Sequence, residues 1–269
     1  MILAGLLFTV MLGLVKFARE ELSALEVACW RSVTALPLSF VLARRAGIGV
    51  RNRRVLALRC LLGFGAVFGF FSAAKGLSMG QLSLTSKVQP ILVAVLAPLA
   101  LGADERPGPH TWLALTIGLI GSVVLLSPDL SAGSVYALLA LAATVASAGA
   151  HVAVRALGRT ENPFALVFWF QLALVVLGAL AFAAVEGRPL PLPPLDLWPA
   201  LVGVGVVTTL AQLAMTKAYQ LDRASTVAAA SYAAPLFAVI GDVLVFALWP
   251  GPGALVGGIL AIGIALVQF

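Results

Sequence analysis

Five ionisable residues interrupt the apolar segments of this chain at positions where they could contact a ligand. They are Glu26, Arg31, Lys87, His151 and Asp242. Arginine and lysine can bind a carboxylate, whereas a carboxylate or a histidine can carry a proton. A charge at the centre of a lipid bilayer costs roughly 3 kcal/mol or more, so such residues rarely face lipid. All five are therefore candidates for a binding or proton-transfer site.

A proline follows two of the candidate positions at the same spacing. Lys87 lies three residues before Pro90, and Tyr232 lies three residues before Pro235. Because proline has no amide hydrogen, the carbonyl four residues earlier loses its helical partner. The carbonyls freed in this way are those of Ser86 and Ser231. We predict that both helices break here and turn polar backbone groups toward a cavity.

The two prolines also align an internal repeat. Without gaps, the segments that begin at Gln81 and Thr226 each run through a long apolar helix, a Pro/Gly turn and a final helix that contains glycine. Self-similarity of this kind is the signature of a duplicated architecture.

Composition places this repeat in a membrane. Hydrophobic residues make up 61% of the 269 residues and charged residues only 10%, which cannot be arranged around one aqueous core. A spanning helix needs roughly 20 mostly apolar residues. We predict an all-α integral membrane protein with ten transmembrane helices, which start near residues 1, 24, 55, 80, 110, 133, 163, 196, 224 and 252.

Five of these helices fall in residues 1–130 and five in residues 131–269. Because each half contains an odd number of spans, the second half must enter the membrane from the opposite side. The sequence therefore predicts two inverted five-helix repeats that together form one transport domain.

Basic residues predict the orientation in the membrane. Lysine and arginine are concentrated on the side that also holds both termini, which favours cytoplasmic termini and a cell (inner) membrane location. The loop assignment on that side includes Arg44, Arg45, Arg51, Arg53, Arg54 and Arg59. The net charge of +6 reflects this anchoring bias, so we expect no nucleic-acid partner.

Helix counting places Arg31 and Lys87 at a similar depth. Each lies about seven residues from the outer surface, which corresponds to about 10 Å. They could share one outer-half cavity, but each has a structural alternative. Arg31 could extend to the headgroups or pair with Glu26, and Lys87 could pair with Asp242.

The inverted alignment supplies further candidates. Gln171 matches Arg31, Tyr232 matches Lys87, and Gln212 with Tyr219 could complete an inner wall. Trp30 and Trp169 lie deep enough to line the same cavity. The predicted substrate-binding set is Arg31, Lys87, Trp30, Gln171, Trp169, Gln212, Tyr219 and Tyr232.

Three residues are candidates for proton coupling: Glu26, His151 and Asp242. Alternatively, Gln212 and His151 could each make only an interhelical hydrogen bond. Cys29 and Cys60 lie in apolar settings that suit neither a disulfide framework nor a metal site. We expect no metal and no cofactor.

Several segments resemble the drug/metabolite transporter superfamily, specifically its EamA-type branch. They are ALEVACWRSVTALPL around Arg31, the proline-containing fourth span followed by LAPLALGADERP, the glycine-rich LALTIGLIGSVVLL and their second-half echoes. The resemblance covers essentially the whole chain and implies ten spans around a central cavity. In that family a Gly-Glu pair usually ends the fourth and ninth spans. Here Glu105 lies further along the chain than the family's glutamate in the first copy, and Trp249 takes the place of the pair in the second copy.

Three functional classes were compared. A membrane-embedded enzyme would need paired acid and histidine motifs, and a channel would need charged rings or a carbonyl filter; the sequence contains neither. The inverted repeat instead favours a secondary transporter that works by alternating access on a small-molecule substrate.

Two substrate classes remain open. Arg31 and Lys87 favour an amino acid or another carboxylate-bearing compound. The alternative is export of a cationic or amphipathic drug-like compound that contacts Trp30, Trp169, Tyr219 and Tyr232. The sequence also leaves open whether the protein is a homodimer.

Overall fold

The computed structural model of the protein describes residues 1–77, 79–126 and 135–234, together with residues 236, 237, 240 and 243. These ranges contain helices and turns and no strand. The α-helices are α1 (Ile2–Ala18), α2 (Ala24–Ala46), α3 (Arg53–Ala73), α4 (Met79–Ser86), α5 (Gln89–Leu101), α6 (Pro109–Leu126), α7 (Val135–Gly158), α8 (Pro163–Glu186), α9 (Trp198–Leu221) and α10 (Ala224–Ala229). Short 3₁₀ helices occupy Ala103–Glu105, Leu195–Leu197 and Ala230–Ala233.

Six helical segments of the described chain are long and apolar enough to cross a membrane. They are Leu25–Ala46, Arg53–Ala73, Leu84–Leu101, Val135–Gly158, Pro163–Glu186 and Leu195–Leu221, and a shorter apolar segment covers Ile2–Val15. Helix starts through residue 224 lie within two residues of the predicted positions. The predicted start near residue 252 lies outside the described residues.

Local sequence signals fix several helix ends. Ser23 and Glu26 form a capping box at the start of α2, where each side chain accepts a hydrogen bond from the other residue's backbone N–H. Asn162 caps α8, and Pro163 occupies its first turn. Gly187 ends α8 with φ +66°, a left-handed conformation that glycine adopts without strain.

The helices pair in a regular order. α1 packs on α9, α3 packs on α7, and α2 packs on both α8 and α9, while α5 packs on α7 and α10. Some of these contacts bring backbones together closely. A Cβ atom added to Gly205 of α9 would lie 2.5 Å from the backbone carbonyl carbon of Thr34 in α2. Small residues allow this approach, which stabilises helix pairs in a membrane.

A buried carboxylate ties four elements together at one end of the bundle. Glu105 is 1% exposed, and its Oε1 atom accepts hydrogen bonds from Arg155 Nε at 2.7 Å and Arg159 Nη2 at 3.0 Å. Its Oε2 atom accepts a third hydrogen bond from the backbone N–H of Ala224 at 2.8 Å. Arg155 also donates to the carbonyl of Tyr219 at 2.9 Å. One carboxylate therefore links the end of α5 to α7 and to the junction of α9 and α10.

The same end of the bundle contains a second carboxylate network. Glu161, between α7 and α8, accepts hydrogen bonds from the backbone N–H groups of Arg51 at 3.0 Å and Asn52 at 2.9 Å. These groups precede α3, so the carboxylate also lies at a helix N-terminus. The Gln220 side chain donates to the Glu161 carbonyl at 3.0 Å. We name the Glu105 and Glu161 networks together the polar clamp.

Hydrogen bonding controls the ionisation of both clamp carboxylates. Burial alone would raise the pKa of Glu105, but hydrogen bonds from Ala224, Arg155 and Arg159 outweigh it and hold that pKa below its ordinary value. The pKa of Glu161 is lowered in the same way by the Asn52 and Arg51 amides. Both groups therefore stabilise the fold in their ionised form.

Glu105→Gln is expected to lower the free energy of unfolding by about 2–4 kcal/mol, because it removes the charge that two arginines face. For a chain of this size the melting temperature should fall by roughly 5–10 °C. The stabilisation is complete above the ordinary glutamate pKa and is lost as pH falls through the lowered pKa of the folded state. Melting curves in detergent should therefore differ between native protein and variant at neutral pH and converge at acidic pH.

Asp104→Asn is the matched control, since Asp104 is the neighbouring exposed acid. It should leave the melting temperature unchanged. Equal melting temperatures for Glu105→Gln and native protein at neutral pH would contradict a stabilising role for the Glu105 network.

Candidate functional site

A polar cavity lies inside the helix bundle. It encloses about 290 Å³ between α1, α3, the α4–α5 junction, α7, α8, α9 and the segment after α10. We name it the central cavity. Its polar lining residues are Arg59, Ser86, Lys87, Gln89, Ser147, His151, Gln212 and Ser231. No carboxylate lines it in the part of the chain that the structure describes.

Four residues of the sequence-derived site line this cavity: Lys87, Pro90, His151 and Gln212. Lys87 lies where the fourth span breaks, because α4 ends at Ser86 and α5 begins at Gln89. The N–H groups of Lys87 and Val88 bond to carbonyls three residues earlier, at 2.9 and 3.2 Å. The backbone at Lys87 therefore has the tighter 3₁₀ hydrogen-bond pattern in place of the α-helical one.

A tyrosine from the second half holds this break. Tyr232 is 1% exposed, and its hydroxyl donates to the carbonyl oxygen of Lys87 at 2.6 Å. The freed carbonyl that the sequence predicted at Ser86 stays a prediction; the carbonyl that Tyr232 binds is that of the next residue, Lys87. The Tyr232 ring lies against Gly118 of α6, where a side chain would overlap it.

Arg59 is a cavity residue that the sequence analysis wrongly assigned to a loop. It lies in α3, is 6% exposed and lines the central cavity. Its guanidinium carbon lies 3.8 Å from the centroid of the Phe170 ring, in a cation–π contact. A Cβ atom at Gly63 would overlap both side chains. Glycine four residues after an arginine in an apolar helix was the signal that could have revealed this position.

His151 is oriented by its own helix. Its Nδ1 atom lies 2.7 Å from the Ser147 carbonyl, which can only accept, so Nδ1 carries the hydrogen. The ring packs on Tyr219 with 5.4 Å between centroids. Tyr219 is fully buried, and its hydroxyl lies beside the Gln89 side chain. Nε2 of His151 is thus the atom available to a proton or a substrate.

Two predicted polar residues lie outside the cavity lining. Gln171 is 0% exposed, and neither polar atom of its side chain has a hydrogen-bond partner among the described residues. The Nε atom of Arg31 is likewise buried and unpartnered within that part of the chain. Counting residues along the helices predicted that Arg31 lies beside Lys87, but α2 packs against α8 and α9 and does not line the cavity.

Trp30 and Trp169 also lie outside the cavity lining, because each indole N–H binds a loop carbonyl. Trp30 donates to Pro191 at 3.0 Å, and Trp169 donates to Ile48 at 2.9 Å. Trp30 also packs edge-on against Trp198. The two tryptophans therefore connect helices to the loops that follow α8 and α2.

Three further residues of the predicted site are Glu26, Asp242 and Pro235. Glu26 caps α2 and lies 3.4 Å from Arg188, so its ion-pair partner is Arg188 and not Arg31. Asp242 and Pro235 lie outside the described residues. The predicted pair between Lys87 and Asp242 and the predicted break at Pro235 stay predictions.

A second cavity of about 320 Å³ lies at the end of the bundle away from the polar clamp. Arg19, Lys75 and Glu186 contribute its charged lining. A small apolar gap of about 20 Å³ between α2, α3 and α8 shares Phe68 with this outer cavity and Val67 with the central cavity. The three spaces therefore follow one another along α3.

Gly63→Ala is expected to reduce transport at least about tenfold, because the added methyl group displaces Arg59 or Phe170 from the cavity wall. Gly65→Ala is the control, since a Cβ atom at Gly65 has no other atom within 4 Å. The measurement is solute uptake per reconstituted protein, with melting temperature as the folding check. Equal uptake by the two variants would contradict the packing argument.

Tyr232→Phe is expected to loosen the break beside Lys87, because it removes a hydrogen bond worth about 1 kcal/mol. Hydrogen–deuterium exchange should increase in peptides that cover residues 84–92. Tyr136→Phe is the control, since Tyr136 packs against Gly76 at another part of the bundle. Unchanged exchange in Tyr232→Phe would show that the break holds without the tyrosine.

Comparisons with known proteins agree with this architecture. Sequence relatives include the pseudopaline exporter of Pseudomonas aeruginosa, 29% identical over 264 residues that cover 97% of this chain and 91% of that protein. The riboflavin transporter of Brucella anthropi is 26% identical over 259 residues, covering 90% and 88%. Human solute carrier family 35 member G1 is 24% identical over 245 residues, covering 84% and 66%.

A solved crystal structure shares the fold. It superposes with a TM-score of 0.84 at 22% sequence identity and covers 98% of this chain and 93% of that one. The model of the EamA-like transporter family matches residues 1–127 and again residues 134–269. The chain therefore belongs to the EamA-like transporter family and is an integral, multi-pass membrane transporter, not an enzyme.

Proposed function

We propose that this protein is a secondary transporter that carries a small carboxylate-bearing metabolite, such as an amino acid or another organic acid, through the central cavity. The observation that carries this proposal is the charge of the lining. Lys87 and Arg59 contribute two cations, and no carboxylate faces them from the described residues. Basic residues at this depth are tolerated when they line a hydrated path or meet a charged ligand.

The neutral part of the lining suits the same class of solute. Ser86, Gln89, Ser147 and Gln212 offer hydroxyl and amide groups around the two cations. A cavity of about 290 Å³ lies at the small end of the range for ligand pockets, which suits a small metabolite. The lining therefore favours a compact, polar anion.

The alternative substrate class, a cationic or amphipathic compound, has less support. It relies on Trp30, Trp169, Tyr219 and Tyr232. The polar groups of Trp30, Trp169 and Tyr232 bind backbone carbonyls, and Tyr219 does not line the central cavity. A positive ligand would also meet Lys87 and Arg59 without a compensating acid among the described lining residues. The relatives are described as pseudopaline and riboflavin transporters, and neither solute is assigned to this chain.

Alternating access between two inverted halves, residues 1–130 and 131–269, is part of the proposal. The two matches to the family model support this division. Helix pairing supports it too, because α1 with α9 and α3 with α7 become equivalent when the halves are exchanged. The reciprocal bonds of Trp30 and Trp169 to loops of the other half follow the same exchange.

The polar clamp would close one end of the central cavity. Glu105 joins the first half to Arg155 and Ala224 of the second, and Glu161 joins the second half to the loop before α3. We place this end in the cytoplasm and the protein in the cell (inner) membrane, because the basic cluster Arg44 to Arg54 lies there. His151, through Nε2, is the candidate for proton coupling.

The test is counterflow into proteoliposomes with amino acids, organic acids and quaternary amines, for native protein and Lys87→Ala. We expect native protein to accumulate carboxylate-bearing solutes and the variant to lose at least about tenfold of this uptake. A charge-assisted hydrogen bond worth about 1.5–3 kcal/mol accounts for a loss of that size.

Lys217→Ala is the matched control, because Lys217 is exposed on α9. It should transport like native protein. Carboxylate uptake that survives Lys87→Ala would remove Lys87 from the binding site. Uptake of quaternary amines alone would reject the proposed substrate class.

A further inference from the structure

We infer that Arg59 is a second anion-binding residue and that the transported solute carries two acidic groups, one bound by Lys87 and the other by Arg59. This inference rests on the proposed function and makes its substrate class narrower. It begins with the fact that both cations line one small cavity. A single metabolite that fills this space can contact both walls.

The cations that line the central cavity have no counter-charge among the described residues. The ion pairs of the described chain join Glu105 to Arg155 and Arg159, and Glu26 to Arg188, all away from the central cavity. No described carboxylate lies within ion-pair distance of Arg59 or Lys87. Among the described residues, one carboxylate on the solute would neutralise one cation and leave the other without a counter-charge. Two carboxylates would match both.

The Arg59 side chain is held in place by a ring contact and by a neighbouring glycine. Its guanidinium carbon lies 3.8 Å from the centroid of the Phe170 ring, and Gly63 leaves the space that the side chain occupies. A cation–π contact uses none of the guanidinium N–H groups, which can still donate hydrogen bonds to a ligand. A guanidinium can bind a carboxylate through two parallel hydrogen bonds.

Lys87 and Arg59 differ in the chemistry and in the backbone setting of their charged groups. Lys87 is a single ammonium at a helix break whose backbone is held by Tyr232. Arg59 lies on a continuous helix, α3. The two charges thus belong to separate elements, and a solute that bridges them must present acidic groups at separate points.

The experiment compares pairs of solutes that differ by one charge and little else: succinate with its monoamide, and glutarate with its monoamide. Each is tested above neutral pH as a substrate and as a competitor in counterflow. We expect native protein to favour each dicarboxylate over its monoamide by about tenfold or more. Arg59→Gln should abolish this preference, because it should lower dicarboxylate uptake about tenfold more than monoamide uptake.

Arg59→Lys and Lys87→Gln complete the set. Arg59→Lys keeps the positive charge and should retain part of the dicarboxylate preference, and it stands in for Arg59→Gln if that variant fails to fold. Lys87→Gln should weaken uptake of both solutes in each pair. Melting temperatures in detergent establish that each variant is folded.

Two results would overturn the inference and leave the proposed function standing. The first is native protein that transports the monoamides as well as the dicarboxylates. The second is an Arg59 variant in which uptake of the dicarboxylate and of the monoamide falls by the same factor. That result would mean that Arg59 only packs against Phe170 and does not bind the second acidic group. A native protein that transports no carboxylate would reject the proposed function itself.

Discussion

The central cavity depends on a hydrogen bond between its two halves, from the Tyr232 hydroxyl to the Lys87 carbonyl. Inside a bilayer an unbonded carbonyl costs several kcal/mol, so a helix can break only where another group satisfies the freed backbone. Pro90 prevents a continuous helix, and the Tyr232 hydroxyl supplies the hydrogen bond that stabilises the interruption. The break in turn determines where Lys87 lies, and with it the charge of the cavity.

The same requirement explains the contacts at both ends of the bundle. The backbone N–H groups of Asn52, before α3, and of Ala224, at the start of α10, are satisfied by Glu161 and Glu105, carboxylates that lie in the other half of the chain. Trp30 and Trp169 satisfy their indole N–H groups on loop carbonyls of the other half. Polar groups thus join the halves at their ends, while small apolar residues such as Gly205 pack them closely.

In the proposed function, selectivity depends on two cations that no described carboxylate faces. Desolvation of Arg59 and partial desolvation of Lys87 are unfavourable in the empty protein, and an anion that enters would offset part of that cost. Gly63 and Phe170 show that the fold is shaped around one of these charges, since both the space and the ring face serve Arg59. Membership of the EamA-like transporter family explains the architecture, whereas the lining of this particular cavity supports its proposed selectivity.

The sequence alone determined the membrane class, the positions of the helices through residue 224 and the helix break between Lys87 and Pro90, because hydrophobic length and proline chemistry act locally. It could not determine which faces of the helices meet. Depth counting put Arg31 beside Lys87, yet the packing of α2 turned it elsewhere, and Arg59, counted as a loop residue, entered the cavity. Glu105 was recognised as a displaced family residue, but its partners lie 50 or more positions away along the chain. Rotation of each helix about its axis follows from contacts with distant segments, so only the tertiary structure decided which charges share the cavity.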